Sequence, residues 1–216
     1  MRFFLLLCVA LVASCTSLQR TGKVTEQPPV HEFSAEDEAL LEEISHASFL
    51  YFIKEAHPES ELIRDKTNVD VCSVAAMGFG FAALPIGVER EYISREDAEE
   101  KALKALRTLD ASNARHEGIF CHFIDLKTGQ ATTGGYESGA STIDTALLAA
   151  GMLVAAEYFG GEVKQLSAKI CSQMNWLAYL NPENDQVHMA WVPEVWGEMQ
   201  GPGAFDKQTW DWYTDE

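Results

Sequence analysis

The pattern of apolar and polar residues predicts five helices in the body of the chain. Three of them carry an apolar stripe at helical spacing and charges on the opposite side, so we expect each to be exposed on one face. The other two are apolar on nearly every side, and we expect them to be buried all round. The three exposed helices are predicted at 34–56, 94–109 and 162–180, and the two buried helices at 71–84 and 142–159.

Local signals set the ends of these helices. The second helix is expected to stop at Pro85, because proline lacks the N–H that a continuing helix needs. Gly78-Phe79-Gly80 lies inside this helix and indicates close helix packing rather than a phosphate-binding loop. Serine followed three residues later by aspartate forms a capping box at a helix start. This spacing occurs at Ser34–Asp37, Ser94–Asp97 and Ser141–Asp144.

Exposed and buried helices alternate along the chain, as in proteins built from stacked helix pairs. Such alternation implies two concentric rings of helices, and the predicted fold class is therefore an all-α (α/α)6 toroid. The chain supplies five helices and the beginning of a sixth near Trp210, about half of a complete ring. Because no stop signal follows that last helix start, we expect the toroid domain, 34–216, to be truncated at its C-terminus.

The links between helices also alternate in length. Those before the buried helices are long, whereas those after them are short, and in a double ring all long links fall on one rim. Long loops in compact domains are usually functional, so this rim is the predicted binding face. The middle long link also contains a predicted short hairpin around residues 119–129. The long links are 58–70, 110–141 and 181–207.

The N-terminus has the features of an export signal. A basic start precedes an apolar run, 3–13, that is too short to span a bilayer. Small residues directly before Cys15 resemble a bacterial lipobox, which predicts a lipoprotein signal peptide at 1–15 and lipidation of Cys15. Thr16 after the cysteine favours the outer membrane, and 16–33 is predicted to be a flexible tether. An ordinary secretory signal with an incidental cysteine is the alternative.

The charge of the chain limits its partners. A formal net charge of -17 and a pI near 4.7 disfavour nucleic acid and anionic lipid headgroups, so the only predicted membrane contact is the N-terminal lipid. No Cys/His cluster has zinc spacing, and we expect neither a metal nor a cofactor. His116 and His122 flank Cys121 in an aromatic loop, where histidines are usually structural.

Carboxylates collect on the predicted binding rim, as acid–base chemistry requires. Asp144 stands at the mouth of the apolar helix, although it also fits a capping role alone. Glu137 lies in a glycine-rich loop and is alternatively a solvated acid. Glu216 lies among aromatic residues, which suits a general acid that keeps its proton. The predicted catalytic residues are Glu216, Asp144 and Glu137.

Aromatic and polar residues near these carboxylates are the predicted binding residues. All five tryptophans lie at or after Trp176, and an aromatic ring suits the apolar face of a sugar. Core packing explains Trp176 as well, Arg64 and Asp65 alternatively form a local ion pair, and Glu194 alternatively caps a turn. The candidate substrate-binding residues are Arg64, Asp65, His122, Trp191, Glu194, Trp196, Trp210 and Tyr213.

Several motifs in order resemble the glycoamylase-like family that includes the endo-β-1,2-glucanases of glycoside hydrolase family 144. The resemblance covers about residues 45–216. It implies an (α/α)6 toroid and inverting hydrolysis of a β-1,2-glucan or a related β-glucan, with a saccharide as partner. The motifs are Phe49–Phe52 with Ala56–Pro58, Ser73–Phe79, Ile86–Arg90 with Ile93–Arg95, Gly118–Phe120 with His122–Asp125, Ser141–Leu148, and Trp191 with Pro193–Glu194.

The chain departs from the family pattern at two positions. Family members commonly carry a glutamate where this chain has Gly139, and the nearest acid is Glu137. They also carry aspartate where this chain has Asn175. A glutamate of the final family motif would match Asp215 or Glu216. Two alternatives to a hydrolase therefore stay open, namely a surface glycan-binding lipoprotein without catalysis and an inactive fragment of the enzyme.

Overall fold

The computed structural model describes residues 33–132, 139–192 and 204–205. The chain divides into two compact units, 1–41 and 42–216. In the described part of the first unit, the Ser34 hydroxyl accepts the Asp37 N–H at 3.1 Å, and the Asp37 carboxylate accepts the Ser34 N–H at 3.2 Å. The predicted capping box is confirmed. Helix α1 (Ala35–Lys54) begins there.

Four further helices belong to the second unit. Helix α3 starts at the predicted Ser94–Asp97 box, where Ser94 accepts the Asp97 N–H. Helix α4 has the bounds that the pattern predicts. A 3-10 helix, Trp176–Tyr179, follows the last α-helix. The α-helices are α2 (Val74–Glu89), α3 (Arg95–Asp110), α4 (Thr142–Phe159) and α5 (Gly161–Ser172).

The described residues also form short antiparallel strands of two or three residues, all in the links between helices. Strand β1 pairs with β4, β2 with β3, β6 with β7, and β8 lies between β5 and β9. The strands are β1 (Val71–Ser73), β2 (Arg115–His116), β3 (Ile119–Phe120), β4 (Phe123–Asp125), β5 (Ala140–Ser141), β6 (Leu180–Asn181), β7 (Gln186–Val187), β8 (Ala190–Val192) and β9 (Ala204–Phe205).

Two predicted helix ends are wrong. Helix α2 continues through Pro85 to Glu89, because the ring fixes a φ that a helix accepts and only the one N–H is lost. The last α-helix ends at Ser172 rather than near 180. The N–H of Asn175 donates instead to the Glu117 carbonyl at 2.9 Å, so an adjacent turn takes the hydrogen bond that a continuing helix would use.

Helices α2 and α4 pack against each other at backbone distance. A Cβ atom on Gly151 would lie 1.8 Å from the Gly78 carbonyl oxygen, and one on Gly78 would lie 2.2 Å from the Leu147 carbonyl oxygen. The close packing predicted from Gly78 is therefore confirmed. These two helices form one layer, and α3 and α5 form a second layer against it.

The expectation that α2 and α4 are buried on all sides is wrong. Phe79 on α2 and Leu153 on α4 are 57% and 53% exposed, and Ile86, Ile143 and Val154 are exposed as well. The second layer covers one side of the pair, and no described helix covers the other. Helix α4 is long and apolar enough to cross a membrane, but 44% of it is buried in the fold. The buried residues of this helix, which include Leu148 and Met152, belong to the hydrophobic core.

Candidate active site

The long links meet at one rim, where short strands join them. Strand β1 precedes α2 and pairs with β4 of the middle link, while β5 precedes α4 and pairs with β8 of the last link. The first N–H of α2, on Val74, donates to the His122 carbonyl at 3.0 Å. The first N–H of α4, on Thr142, donates to the Met189 carbonyl at 3.0 Å. The predicted common rim is confirmed for the described parts of the links.

Asp144 stands in the first turn of α4, as the sequence predicts. Its N–H donates to the Ser141 hydroxyl at 3.4 Å, and the same hydroxyl donates to its carboxylate. His122 Nε2 lies 3.6 Å from Asp144 Oδ1. The Asp144 side chain is only 14% exposed. The carboxylate therefore takes part in a capping box and also faces a histidine from another link.

The Asp144 side chain lies in the first turn of α4, close to the backbone N–H groups of the helix start. The unpaired N–H groups of a helix start carry partial positive charge, which stabilises an anion in the first turn. The chain holds this helix start in place with Thr145, whose buried hydroxyl accepts the Phe120 N–H at 2.9 Å. A carboxylate at this position, 3.6 Å from His122 Nε2, is a candidate general base that activates water.

His122 is fixed through its backbone and open at its side chain. Its N–H donates to the Gly139 carbonyl at 3.1 Å, and its carbonyl accepts the Val74 N–H. Its ring stacks on Phe123 with 3.9 Å between centroids, and its side chain is 40% exposed. A partly exposed imidazole that pairs with a buried carboxylate can bind a sugar hydroxyl or orient that carboxylate.

Trp191 lies on β8, opposite Ala140 and next to the strand position that faces Ser141. Its indole stacks on the imidazole of His116 with 3.9 Å between centroids and parallel planes. The sequence assigned no role to His116 at the site. A histidine and a tryptophan from distant links leave no local pattern, so sequence reasoning had no signal for this contact.

Gly139 explains one departure from the family pattern. A Cβ atom on this residue would lie 2.8 Å from the Trp191 carbonyl oxygen. A glutamate at position 139 would therefore displace the strand that carries Trp191. Position 139 therefore supplies no carboxylate to the rim of this chain.

The predicted ion pair between Arg64 and Asp65 is wrong. Arg64 Nη2 lies 3.2 Å from Asp70 Oδ1, and Arg64 Nη1 lies 3.8 Å from Glu55 Oε2. The hydrogen bond of Asp65 is formed by its backbone, whose N–H donates to the Val71 carbonyl at 3.0 Å. The reason is geometric. Side chains of consecutive residues in an extended segment point to opposite sides, so Arg64 and Asp65 point apart and Arg64 pairs with acids elsewhere in the chain.

Burial shifts the pKa of several rim residues. It lowers the pKa of His116, against the opposing effect of Glu117, and raises the pKa of the Cys121 thiol to about 11. Burial also opposes ionisation of Asp125, but hydrogen bonds from Thr128 outweigh it and lower the pKa of that carboxyl. The lowered pKa favours the neutral form of His116.

The other predicted site residues lie outside the described part of the chain. In the ranges 33–132 and 139–192, no group of three or more His, Cys, Asp or Glu side chains could hold a metal ion. Predictions that fall on undescribed residues concern Cys15, Glu137, Glu194, Trp196, Trp210, Tyr213 and Glu216.

The two layers of alternating helices, with the described parts of the long links at one rim, are those of a partial (α/α) toroid. The comparisons support this. A β-1,2-glucanase structure from Parabacteroides distasonis matches with a TM-score of 0.68 and 27% identity, over 76% of this chain and 25% of that chain. An endo-β-1,2-glucanase from Chitinophaga pinensis, in complex with sophorotriose and glucose, matches with a TM-score of 0.65 and 27% identity, over 79% and 44%. The predicted fold class is confirmed.

A sequence relative agrees with these structures. The chain is 29% identical over 169 residues to an exo-β-1,2-glucooligosaccharide sophorohydrolase from Parabacteroides distasonis, which covers 73% of this chain and 23% of that protein. No protein-family model matches the chain. These relatives confirm the resemblance to the glycoamylase-like family. This chain spans 23% to 44% of their length.

Proposed function

We propose that this protein is a glycoside hydrolase that acts on β-1,2-glucan or a related β-glucan with inversion at the anomeric carbon. The observation that carries the proposal is Asp144, a nearly buried carboxylate at a helix start, facing His122 on the rim where the long links meet. Similarity to proteins named as β-1,2-glucanases and a sophorohydrolase gives the substrate class.

Inverting hydrolysis needs a base that takes a proton from water and an acid that protonates the leaving oxygen. The two carboxyl groups must lie roughly 6.5–9.5 Å apart so that the water fits between them. Asp144 suits the base, because its mostly buried carboxylate lies on the rim, 3.6 Å from His122 Nε2. We assign the acid to Glu216 and keep Glu137 as the second candidate for that role. His122 would orient Asp144 or bind a sugar hydroxyl.

The first experiment measures new reducing ends from linear β-1,2-glucan with an Asp144→Asn variant. Loss of the base should lower kcat by roughly 10²–10⁴-fold and leave glycan affinity within a few-fold. Asp97→Asn is the matched control, because Asp97 forms the same capping box with Ser94 on the exposed helix α3. That variant should lose a similar helix cap and keep wild-type kcat. Equal losses in both variants would reduce Asp144 to a cap.

A second candidate function is glycan binding without hydrolysis. The position at which family members carry a glutamate is Gly139 here, and packing against Trp191 leaves no room for that side chain. In this case the wild-type protein would bind linear β-1,2-glucan in calorimetry and release no reducing ends. Release of sugars by the wild type, abolished in Glu216→Gln or Glu137→Gln, would favour the hydrolase and identify the acid.

We further propose export and anchoring by a lipid on Cys15, with the protein held at the bacterial outer membrane. The lipobox-like residues before Cys15 support this. In cells that grow with a radiolabelled or alkyne fatty acid, the wild-type protein should carry label and sediment with outer membranes. A Cys15→Ala variant should lose both properties. Unlabelled wild-type protein that is released into the soluble fraction would contradict the anchor.

A further inference from the structure

We propose that His116 is a positioning residue that fixes the indole of Trp191 in the orientation needed to stack on a sugar. The proposal starts from one contact. The two rings are parallel, with 3.9 Å between their centroids, although they come from different links of the chain. His116 covers one face of the indole, and a sugar ring would stack on the opposite face. The substrate part of this inference rests on the proposed function.

The His116 imidazole can fix the orientation of the indole only if the imidazole is itself held in place. A buried neighbour, Tyr179, holds it. His116 Nδ1 lies 3.3 Å from the Tyr179 hydroxyl, which also donates to the His116 carbonyl at 3.3 Å. Tyr179 is fully buried, and the two rings meet edge to face at 6.0 Å. The imidazole therefore has contacts on a face and at an edge, which leave it little freedom to rotate.

The hairpin that carries His116 is tied to two helix ends by its neighbour Arg115. The guanidinium donates to the carbonyls of Leu109 and Asp110 at the end of α3, the latter at 2.9 Å. It also donates to Gln173 Oε1, just after α5, at 2.8 Å. Arg115 thus ties the start of the hairpin, next to His116, to the ends of α3 and α5, the two helices of the second layer.

The turn of this hairpin is equally constrained. Gly118 has a φ of 78°, which favours glycine, and a Cβ atom there would lie 1.9 Å from the Gln173 carbonyl oxygen. Strand pairing places Trp191 opposite Ala140, adjacent to the Ser141 hydroxyl that bonds Asp144. The same strand register therefore links the position of the indole to the candidate base.

A structural role and a positioning role predict different results for His116 variants. A pure packing role would change stability and leave sugar recognition unchanged. A positioning role predicts that recognition follows the shape of the ring at position 116. His116→Phe retains a flat ring for stacking, whereas His116→Ala removes it.

The test measures steady-state kinetics on linear β-1,2-glucan together with near-ultraviolet circular dichroism. For His116→Ala we expect KM to rise about tenfold with kcat within about twofold, since lost stacking weakens binding more than chemistry. We expect the indole dichroism that disappears in Trp191→Phe to disappear in this variant as well. For His116→Phe we expect both readouts to return close to wild-type values.

His46→Ala is the matched control. His46 also contacts an aromatic ring, Tyr92, at 4.7 Å between centroids, but on helix α1. This variant should keep the KM and the indole dichroism of the wild type. A His116→Ala protein with normal dichroism, or with altered dichroism and normal KM, would overturn the positioning role while the hydrolase proposal stands.

If the wild type releases no sugar, the hydrolase proposal fails and the same variants are compared by glycan binding. A dissociation constant for β-1,2-glucan that rises about tenfold in His116→Ala and recovers in His116→Phe would support positioning without catalysis. Equal affinities in all variants, or no binding by the wild type, would overturn it.

Discussion

Helix α4 has two sides with the same composition and different surroundings. Leu148 and Met152 point toward the neighbouring helices and are fully buried, whereas Leu153, one residue further along, is 53% exposed. The pattern of apolar residues tells which surfaces a fold is built to bury. It does not tell which of them the described residues do bury. The comparison thus separates apolar side chains that hold this fold together from apolar side chains that the described residues leave exposed.

The largest expected effect comes from the seam between α2 and α4. Gly151→Ala places a methyl group 1.8 Å from the Gly78 carbonyl oxygen. Only a shift of the backbone of one of the two helices can relieve this clash. We expect destabilisation by at least ~3 kcal/mol, or no folded protein, because two helices would have to separate. Urea denaturation followed by circular dichroism measures this.

Ala150→Val is the control for that substitution. Ala150 adjoins Gly151 but is exposed, so the added volume meets no neighbouring helix. We expect a change in the free energy of unfolding of less than ~1 kcal/mol. If Gly151→Ala proved as mild as this control, the close approach of the two helices would be wrong.

The next effect compares one leucine on each side of α4. Leu148→Ala removes a fully buried side chain and should cost about 2–5 kcal/mol in unfolding free energy. Leu153→Ala removes a half-exposed one and should cost less than ~1 kcal/mol. Equal costs, measured by urea denaturation, would show that the open side of α4 is covered in solution.

The sequence predicted most of the helix layers and the rim at which the long links meet. Capping boxes such as Ser94–Asp97 act within one turn, so local spacing is sufficient to identify them. Link lengths identified the rim, because a double ring leaves no other place for long connections. The partners of Arg64 and Trp191 were missed, since each contact joins segments that only the folded chain brings together.

Helix ends were the other weak point, and the reason is again tertiary. The sequence of the last α-helix continues an apolar stripe beyond Ser172, but the Glu117–Gly118 turn packs against the following residues and captures the Asn175 N–H. Pro85 was expected to stop α2, yet it is buried in a helix that continues past it. Packing thus overrode local propensity in both directions.

A smaller effect concerns solubility rather than stability. The open side of the α2–α4 pair carries large exposed apolar side chains on a chain with a net charge of -17. Leu153→Glu should reduce concentration-dependent light scattering and leave the unfolding midpoint in urea nearly unchanged. Leu148→Glu is its buried counterpart and should prevent folding. More scattering from Leu153→Glu than from the wild type would mean that the protein does not self-associate through this side.

The smallest effect is a pH dependence of folding stability that arises from His116, which is partly buried on the rim. Burial lowers the pKa of His116 below its ordinary value of 6.5, so in the window below 6.5 the unfolded chain binds more protons at this site than the folded chain. Folded stability is therefore lost as the pH falls through 6.5 toward the folded pKa. Glu117 opposes the shift and keeps it modest. Tyr179, whose own pKa burial raises, stays neutral throughout this range.

A comparison of melting temperatures at pH 5 and pH 7.5 isolates this contribution. His116→Gln cannot titrate, so its melting temperature should fall less than that of the wild type between the two pH values. The difference of the two differences removes the carboxylates, which titrate in both proteins. An identical fall in both proteins would mean that the pKa of His116 is the same in the folded and the unfolded chain. Burial of the imidazole beneath Trp191 would then have no effect on its protonation.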